Sequence, residues 1–509
     1  MVNKQDSNST GLRVAEQSAS GSLPVSPVWY TREPNSYDSF GGTNETVERE
    51  PINDTRQNLR GTVTGIEVKS GWEEDITLTN IIRDAQAFVC ADLLEKADTQ
   101  SVGSTGVTIT GVHTSGNNYA AAAGLTIFKV NDLILASGFT TSGNNGIKLV
   151  STVSAASIVV STALTVETPT ASARLECCGY QFGSGAVGVS VVGSTYTLTI
   201  NDITPFDFSD LDLNVGEWIY IGDSSAAAYY FATNTPGFAR VVSINTSGTS
   251  IVFDRPTFTP ATDAGAGKTI RLFFGKFARN ALEGSDVVMR RFTQERSLGQ
   301  DDSNTAGDIQ SQVLSGMVAN TAELTCNQKS KATIKFSYVG ETETFRTGDE
   351  GLLSDSAGTV VPVLGEAAIN TSADVHAQRM YVHGVTSPLF AYVTDLSFNI
   401  DNGATPATAV GVLGAIDVTL GNFKVTGKAT AYFTTVAGPE AIRANSDVSF
   451  DTIFYARHKG IIIDLPMVGL GGGELAVAKN EPIKMSLDVM AAKCAEGYTL
   501  GMTFFPYLP

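Results

Sequence analysis

Alternation of apolar and polar positions dominates the second half of the chain. ATIKFSYVG places Ile334, Phe336 and Tyr338 on one face of a strand. LFAYVTDLSFNIDNG places Phe390, Tyr392, Leu396, Phe398 and Ile400 opposite Asp395, Ser397, Asn399 and Asp401. Such segments predict half-buried strands. In IDVTLGNFKVTG the apolar parity flips between Leu420 and Phe423, which predicts a bulge at Gly421, and YTLGMTFFPYLP predicts a last strand. Earlier, GTVTGIEVKSG reads as a strand and TNIIRDAQAFVCADLLEKA as a helix. There Ile82, Ala85, Val89 and Leu93 recur at steps of three and four, and Thr79 or Asn80 is placed to cap the first turn.

Between these regions, short β-branched runs punctuated by Gly, Ser, Thr and Ala occur twice in the same order. FKVNDLILASG, NNGIKLVSTV, IVV and ARLECCG are echoed by LNVGEWIYIG, TPGFARVVSI, IVF and IRLFFG. The spacing predicts two copies of one small five-stranded barrel or sandwich. Residues 1–60 differ from both regions: they are polar, with isolated aromatics and no pattern that builds a core.

Charge narrows the function. With 52 acidic against 34 basic residues and a net charge of −18, the chain opposes any groove that grips nucleic acid by neutralising phosphates. The five cysteines form no CxxC pair, so neither a disulfide framework nor a zinc cage follows, and a reducing cytoplasm is expected as the place of synthesis. No run approaches the ~18 apolar residues of a membrane span.

Motifs that resemble chemistry fail on inspection. DAGAGKTI has Thr262 where a phosphate-binding loop needs its first glycine, and the strand-like IRLFF follows it instead of a helix. GLGGGE lacks the last glycine of a dinucleotide fingerprint and reads as a flexible loop. DLDLN offers Asp210, Asp212 and Asn214, but Val215 stands where a calcium loop turns on glycine. The four histidines are scattered, and no nucleophile elbow is present. The expectation is a protein with no catalytic residue, metal site or cofactor. A rival reading is a surface module binding receptor or glycan, or decorating a capsid, through Trp218, Tyr220, Tyr229 and Tyr230.

The segment EREPINDTRQNLRGTVTGIEVKSGWEEDITLTNIIRDAQAF resembles the start of the major tail tube proteins of long-tailed, non-contractile bacteriophages. FNIDN, VTGKATAYF, GIIIDLP and YTLGMTFFPY are similar to that family's closing half. The resemblance covers about 31–94 and 286–509. It implies a mainly β protein: a core of two packed antiparallel sheets with one flanking helix, assembled as stacked hexameric rings around a bore for DNA.

Under the resemblance the chain divides into an extended arm (1–60), a first core part (61–103), two inserted β modules (104–184 and 185–276) and the remaining core (277–509). The inserted modules would project from the outer wall and be removable without loss of the tube. Arm residues Trp29, Tyr30, Tyr37, Glu48, Arg49, Glu50, Arg56 and Arg60 would contact neighbouring subunits. Glu341, Glu343, Asp395 and Asp401 are candidates to line the bore. Implied partners are other copies of the chain, a tape measure protein inside the tube, terminator and tail-tip proteins at its ends, and transiting double-stranded DNA, with no membrane insertion. The location would be the virion tail.

Overall fold

The computed structural model describes residues 10–49, 52, 59–97, 107–201, 207–299, 309–348, 351–356, 358–383, 385, 388–390 and 392–509. The chain opens with β1 (Gly11–Glu16), β2 (Val28–Arg32), β3 (Pro34–Arg49), β4 (Leu59–Asp75) and helix α1 (Ile82–Val89). Neither Thr79 nor Asn80 caps α1. Asn80 instead accepts the Thr77 N–H, and the Thr77 hydroxyl accepts the Asn80 N–H, so their polar groups close a turn ahead of the helix. The helix presents Ala85, Phe88 and Val89 to the core, and Phe88 stacks on Phe336 at 5.2 Å.

The duplicated region forms its own twelve-stranded sheet. The first copy contains β5 (Ile109–His113), β6 (Asn118–Ala121), β7 (Asp132–Ser137), β8 (Gly146–Val153), β9 (Ser157–Val160) and β10 (Arg174–Gln181). The second contains β11 (Val187–Val192), β12 (Thr195–Ile200), β13 (Trp218–Ile221), β14 (Gly237–Ile244), β15 (Ser250–Asp254) and β16 (Arg271–Phe273). Strand order is β5-β6-β9-β8-β7-β10 in one and β11-β12-β15-β14-β13-β16 in the other. Each copy therefore has six strands rather than five; the leading hairpins β5–β6 and β11–β12 share too little sequence to be seen as a repeat.

Smaller features repeat too. Asp132 accepts the Lys129 N–H and Glu217 the Asn214 N–H, each closing the turn before β7 or β13. Asn144 exchanges two hydrogen bonds with the Thr165 backbone, and Asn234 does the same with Ala261. Two residues further on, Glu167 bridges Val112 and Asp263 bridges Val189, tying the first strand of each copy back to the chain before its last strand. Desolvation opposes ionisation of the Glu167 and Asp263 carboxylates, but hydrogen bonds outweigh it and hold both below the usual carboxylate range: the Asn144 amide and the Thr140 and Thr141 N–H groups at Glu167, and the Gly265 and Thr233 N–H groups with the Thr233 hydroxyl at Asp263. The copies join through antiparallel pairing of their equivalent strands, Tyr180 opposite Leu272, and their apolar residues form one continuous core. Such pairing relates them by a pseudo-two-fold axis.

The rest comprises β17 (Lys276–Arg279), β18 (Arg291–Gly299), β19 (Gln310–Asn327), β20 (Thr333–Gly340), β21 (Thr342–Thr347), β22 (Thr359–Val361), β23 (Val375–Val382) and β24 (Val393–Asp401). It continues with β25 (Thr405–Thr408), β26 (Ala415–Thr419), β27 (Lys424–Tyr432), β28 (Val448–Ala456), β29 (Lys459–Ala476), β30 (Lys484–Ala491) and β31 (Gly501–Phe505). Two strands span sheets. The first half of β19 pairs with β18 and β21, and its second half with β20 and β24. The first half of β29 pairs with β28 and β31, and its second half with β30.

These crossings wrap a 17-stranded network around one core. One layer runs β3-β4-β20-β19-β24-β27-β30-β29, and another runs β23-β28-β29-β31-β17. Phe398 of the first layer meets Phe450 of the second at 5.0 Å. Ile334, Phe336, Tyr338, Leu396 and Phe398 all face inward, but Tyr392 is exposed because β24 begins only at Val393.

Gly421 is not a bulge. It lies in the break between β26 and β27, where its N–H donates to Asn402, so the parity change marks two separate strands. GLGGGE is not a loop either. It continues β29, and Gly472 and Gly473, with φ of +74° and +85°, absorb an extra residue opposite β30.

Candidate assembly surfaces

The arm is anchored first. β1 pairs with β18 and β2, and Trp29 is fully buried within its own subunit. Trp29 is thereby removed from the inter-subunit set; isolated aromatics in a polar segment gave no hint that β1 would carry them into the core. Arg32 bonds Glu74 at 2.5 Å and Asp84 at 2.8 Å, and Trp72 Nε1 and Asn80 Nδ2 donate to the same Glu74. Burial pushes Glu74 up to about 7, against the pull of Arg32, because two buried carboxylates share one guanidinium. Tyr30 carries the Arg83 guanidinium 3.0 Å over its ring.

Beyond this anchor the hairpin of β3 and β4 leaves the body. β4 pairs with β20 only from Val68 to Asp75, whereas β3 and β4 continue as a two-stranded ribbon to Arg49 opposite Leu59. At ~3.3 Å per residue the free part is roughly 20 Å long. It exposes Val47, Leu59 and Val63, with Glu48, Arg49 and Arg60 near its tip. An isolated two-stranded ribbon is marginal in water, so these apolar side chains and unpaired edges call for a partner. Tyr37 and Phe40 sit at the ribbon's base, where Arg296 lies 5.3 Å and 4.6 Å from their rings. Glu50 and Arg56 lie outside the described residues.

A second surface is the polar face of the β20-β19-β24-β27-β30-β29 layer. Register brings Thr321, Asp401 and Lys424 into one row, Glu323, Asn399 and Thr426 into another, and Ser397, Lys428 and Asp488 into a third. Asp395 stands one row beyond, and Glu474 and Lys484 lie on the same side. Asp395 and Asp401 thus share a face with Glu323 and Asp488, which sequence reading missed. The alternation in AELTCN and KMSLDVMA carried that signal.

Glu341 and Glu343 are not on this face. Glu341 is only 7% exposed, accepts the Ser20 hydroxyl at 2.6 Å and lies 3.7 Å from Arg291, so it cannot line a channel. Glu343, on β21, accepts from Gln312 near Gly41 and Gly42. The polar alternation of ETETF did not reveal that β21 pairs with the first half of β19.

The opposite side of the core is covered. Leu133, Cys178, Trp218, Phe238 and Phe273 of the twelve-stranded sheet pack on Ile453, Ile462, Phe505 and Leu508. Three arginines and three aspartates surround this apolar patch. Asp464 lies 2.7 Å from Arg255 and 3.4 Å from Arg240, Asp451 lies 2.9 Å from Arg379, and Asp254 lies 2.6 Å from Arg240. Burial opposes the Arg240 and Arg255 charges, yet the neighbouring carboxylates raise both guanidinium pKa values. Lys96 pairs with buried Glu217 at 2.6 Å.

The chain enters and leaves the twelve-stranded sheet side by side, through the Leu94–Phe277 bridge. Trp218, fully buried, and Tyr220, edge-on to Phe238, belong to this junction. Tyr229 stacks on Arg271 at 3.5 Å, and Lys268 lies 5.7 Å from the Tyr230 ring.

Among the described residues no group of three or more His, Cys, Asp or Glu side chains is placed to hold a metal ion, and no helix is long and apolar enough to cross a membrane. The profile of a family described as phage tail tube protein matches residues 7–491. No curated protein matches the chain.

Proposed function

The chain belongs to the phage tail tube protein family, and on that premise we propose that it closes into hexameric rings stacked as the DNA conduit of a long, non-contractile tail. As a member it is a structural subunit of the virion tail that assembles with itself into a tube. The observation that carries the finer reading is the division of the core into two unlike faces: one polar and open, the other sealed by the twelve-stranded sheet.

If the open face lines the bore, the duplicated modules stand on the outer wall as an insertion, since they cover the opposite side and their ends meet at Leu94 and Phe277. Glu323, Asp395, Asp401, Glu474 and Asp488 outnumber Lys335, Lys424, Lys428 and Lys484 on that face, so passing phosphates meet net repulsion and acquire no lasting contacts. The free ribbon, with Glu48, Arg49 and Arg60 near its tip and Tyr37 toward its base, lies across neighbouring subunits; Tyr30, Glu50 and Arg56 belong to the same proposed contact set. A tape measure protein occupies the bore during assembly, and terminator and tail-tip proteins close its ends.

Purified protein imaged by negative-stain electron microscopy tests the assembly. Stacked rings with a central channel are expected; a monodisperse monomer at high concentration would contradict it.

A further inference from the structure

The hairpin of β25 and β26 belongs to neither large sheet. From Asn402 to Ile416 it carries no charged residue, Val410 at its tip is fully exposed, and Val412, Leu413 and Ile416 are each about half exposed. Its base is fixed: Leu413 accepts the Ile66 N–H at 2.8 Å, Arg291 bonds Asp417 at 2.5 Å, and Gly414 approaches the Glu341 carbonyl too closely for a side chain. A held, uncharged, apolar tip in water marks a contact surface.

The hairpin lies past the Val68, Gly340 and Asp401 ends of the strands, beside the ribbon. Past the other ends, beyond Asp75 and Thr333, is a cleft of about 350 Å³. Tyr30, Ile82, Val361, Val363 and Leu364 form its apolar walls, and Arg32, Glu33, Glu74, Asp75, Arg83 and Glu366 line the remainder. Leu364 is 66% exposed.

We propose that the β25–β26 tip is an axial joint, seated in this cleft of a second copy in the next ring; this rests on the tube reading above. An apolar projection at one pole and a socket with apolar walls and a charged rim at the other form a heterologous contact, which propagates in one direction without closing, as a linear polymer requires. The occupant is therefore another copy of this chain rather than a protein at the tube's ends.

The test uses full-length protein. Val410→Asp changes only a fully exposed side chain, so circular dichroism and melting should match wild type. The concentration needed for tube growth should rise at least about tenfold, given the apolar burial lost, while single rings persist. In a second variant, Ala409→Cys with Leu364→Cys, mild oxidation of tubes should give a covalent ladder extending beyond one ring; the five native cysteines are buried. The proposal is overturned if the aspartate variant grows tubes at the wild-type concentration, or if the ladder is absent or stops at ring size. Failure of wild type to form tubes would instead overturn the tube reading itself.

Discussion

Replacing Asp464 with alanine probes whether the duplicated sheet and the core are one body. Its carboxylate is fully buried, bonded to Arg255 at 2.7 and 2.9 Å and 3.4 Å from Arg240. Removing it leaves three guanidiniums facing two carboxylates in a dry junction. Breaking a buried pair from one side typically costs about 3–5 kcal/mol, mostly from the charge left behind. Asp464→Ala should lower the unfolding free energy by that amount, seen as a lower guanidinium chloride midpoint of a single transition, read by tryptophan fluorescence at Trp218 in the junction and Trp29 and Trp72 in the core. Adding Arg255→Met restores the charge balance and should recover part of the loss, giving a coupling well above the ~0.5 kcal/mol of independent sites. A shift under about 1 kcal/mol, or two transitions of which only one moves, would refute a fused junction.

Deleting residues 97–275 should give aggregated protein rather than tubes, against the expectation from the sequence that the modules are removable, because Ile453, Ile462, Phe505 and Leu508 lose their cover and Asp464 loses Arg240 and Arg255; recovery of intact tubes would mean the junction is dispensable. Shortening the ribbon by joining Gly42 to Val68 should preserve β-sheet circular dichroism and melting yet abolish assembly seen by sedimentation velocity; unchanged assembly would exclude the ribbon as an inter-subunit element. Burial raises Glu74 to about 7 from the usual carboxylate range, so its contribution is complete below about pH 4.5 and fades as pH rises through 7. Wild type should therefore lose stability relative to Glu74→Gln between pH 5 and 8 in parallel chemical denaturations; a flat difference would contradict the shift. Replacing Glu323, Asp395, Asp401 and Asp488 with lysine should leave tubes standing but slow genome ejection, with the delay shrinking as salt rises; unchanged ejection at low salt would remove this face from the bore.

Much of the strand content was legible because half-buried strands alternate. Ile334, Phe336 and Tyr338, or Leu396 and Phe398, could point only one way. The duplication was legible in its central strands and invisible in β5–β6 and β11–β12, where equivalence lies in backbone pairing rather than residue type. Long-range register was out of reach. Nothing in FNIDN says that Asp401 stands beside Lys424, or in GETETF that Glu341 turns inward to Ser20 and Arg291. The arm misled for a related reason: Arg32 looks like surface charge until Glu74 and Asp84, far along the chain, close around it. The junction also had no sequence signature, since Arg240, the Asp254–Arg255 pair, Arg379, Asp451 and Asp464 are scattered far apart along the chain.

The central claim is that the open polar face of the core lines a channel while the duplicated sheet rides outside. A cryo-electron microscopy map of assembled tubes at side-chain resolution tests it most directly. The account predicts Asp395, Asp401 and Asp488 facing the bore in every subunit, with Trp218 buried at the outer wall. A map with the duplicated sheet inside the channel, or with these three aspartates on the tube's exterior, would contradict it.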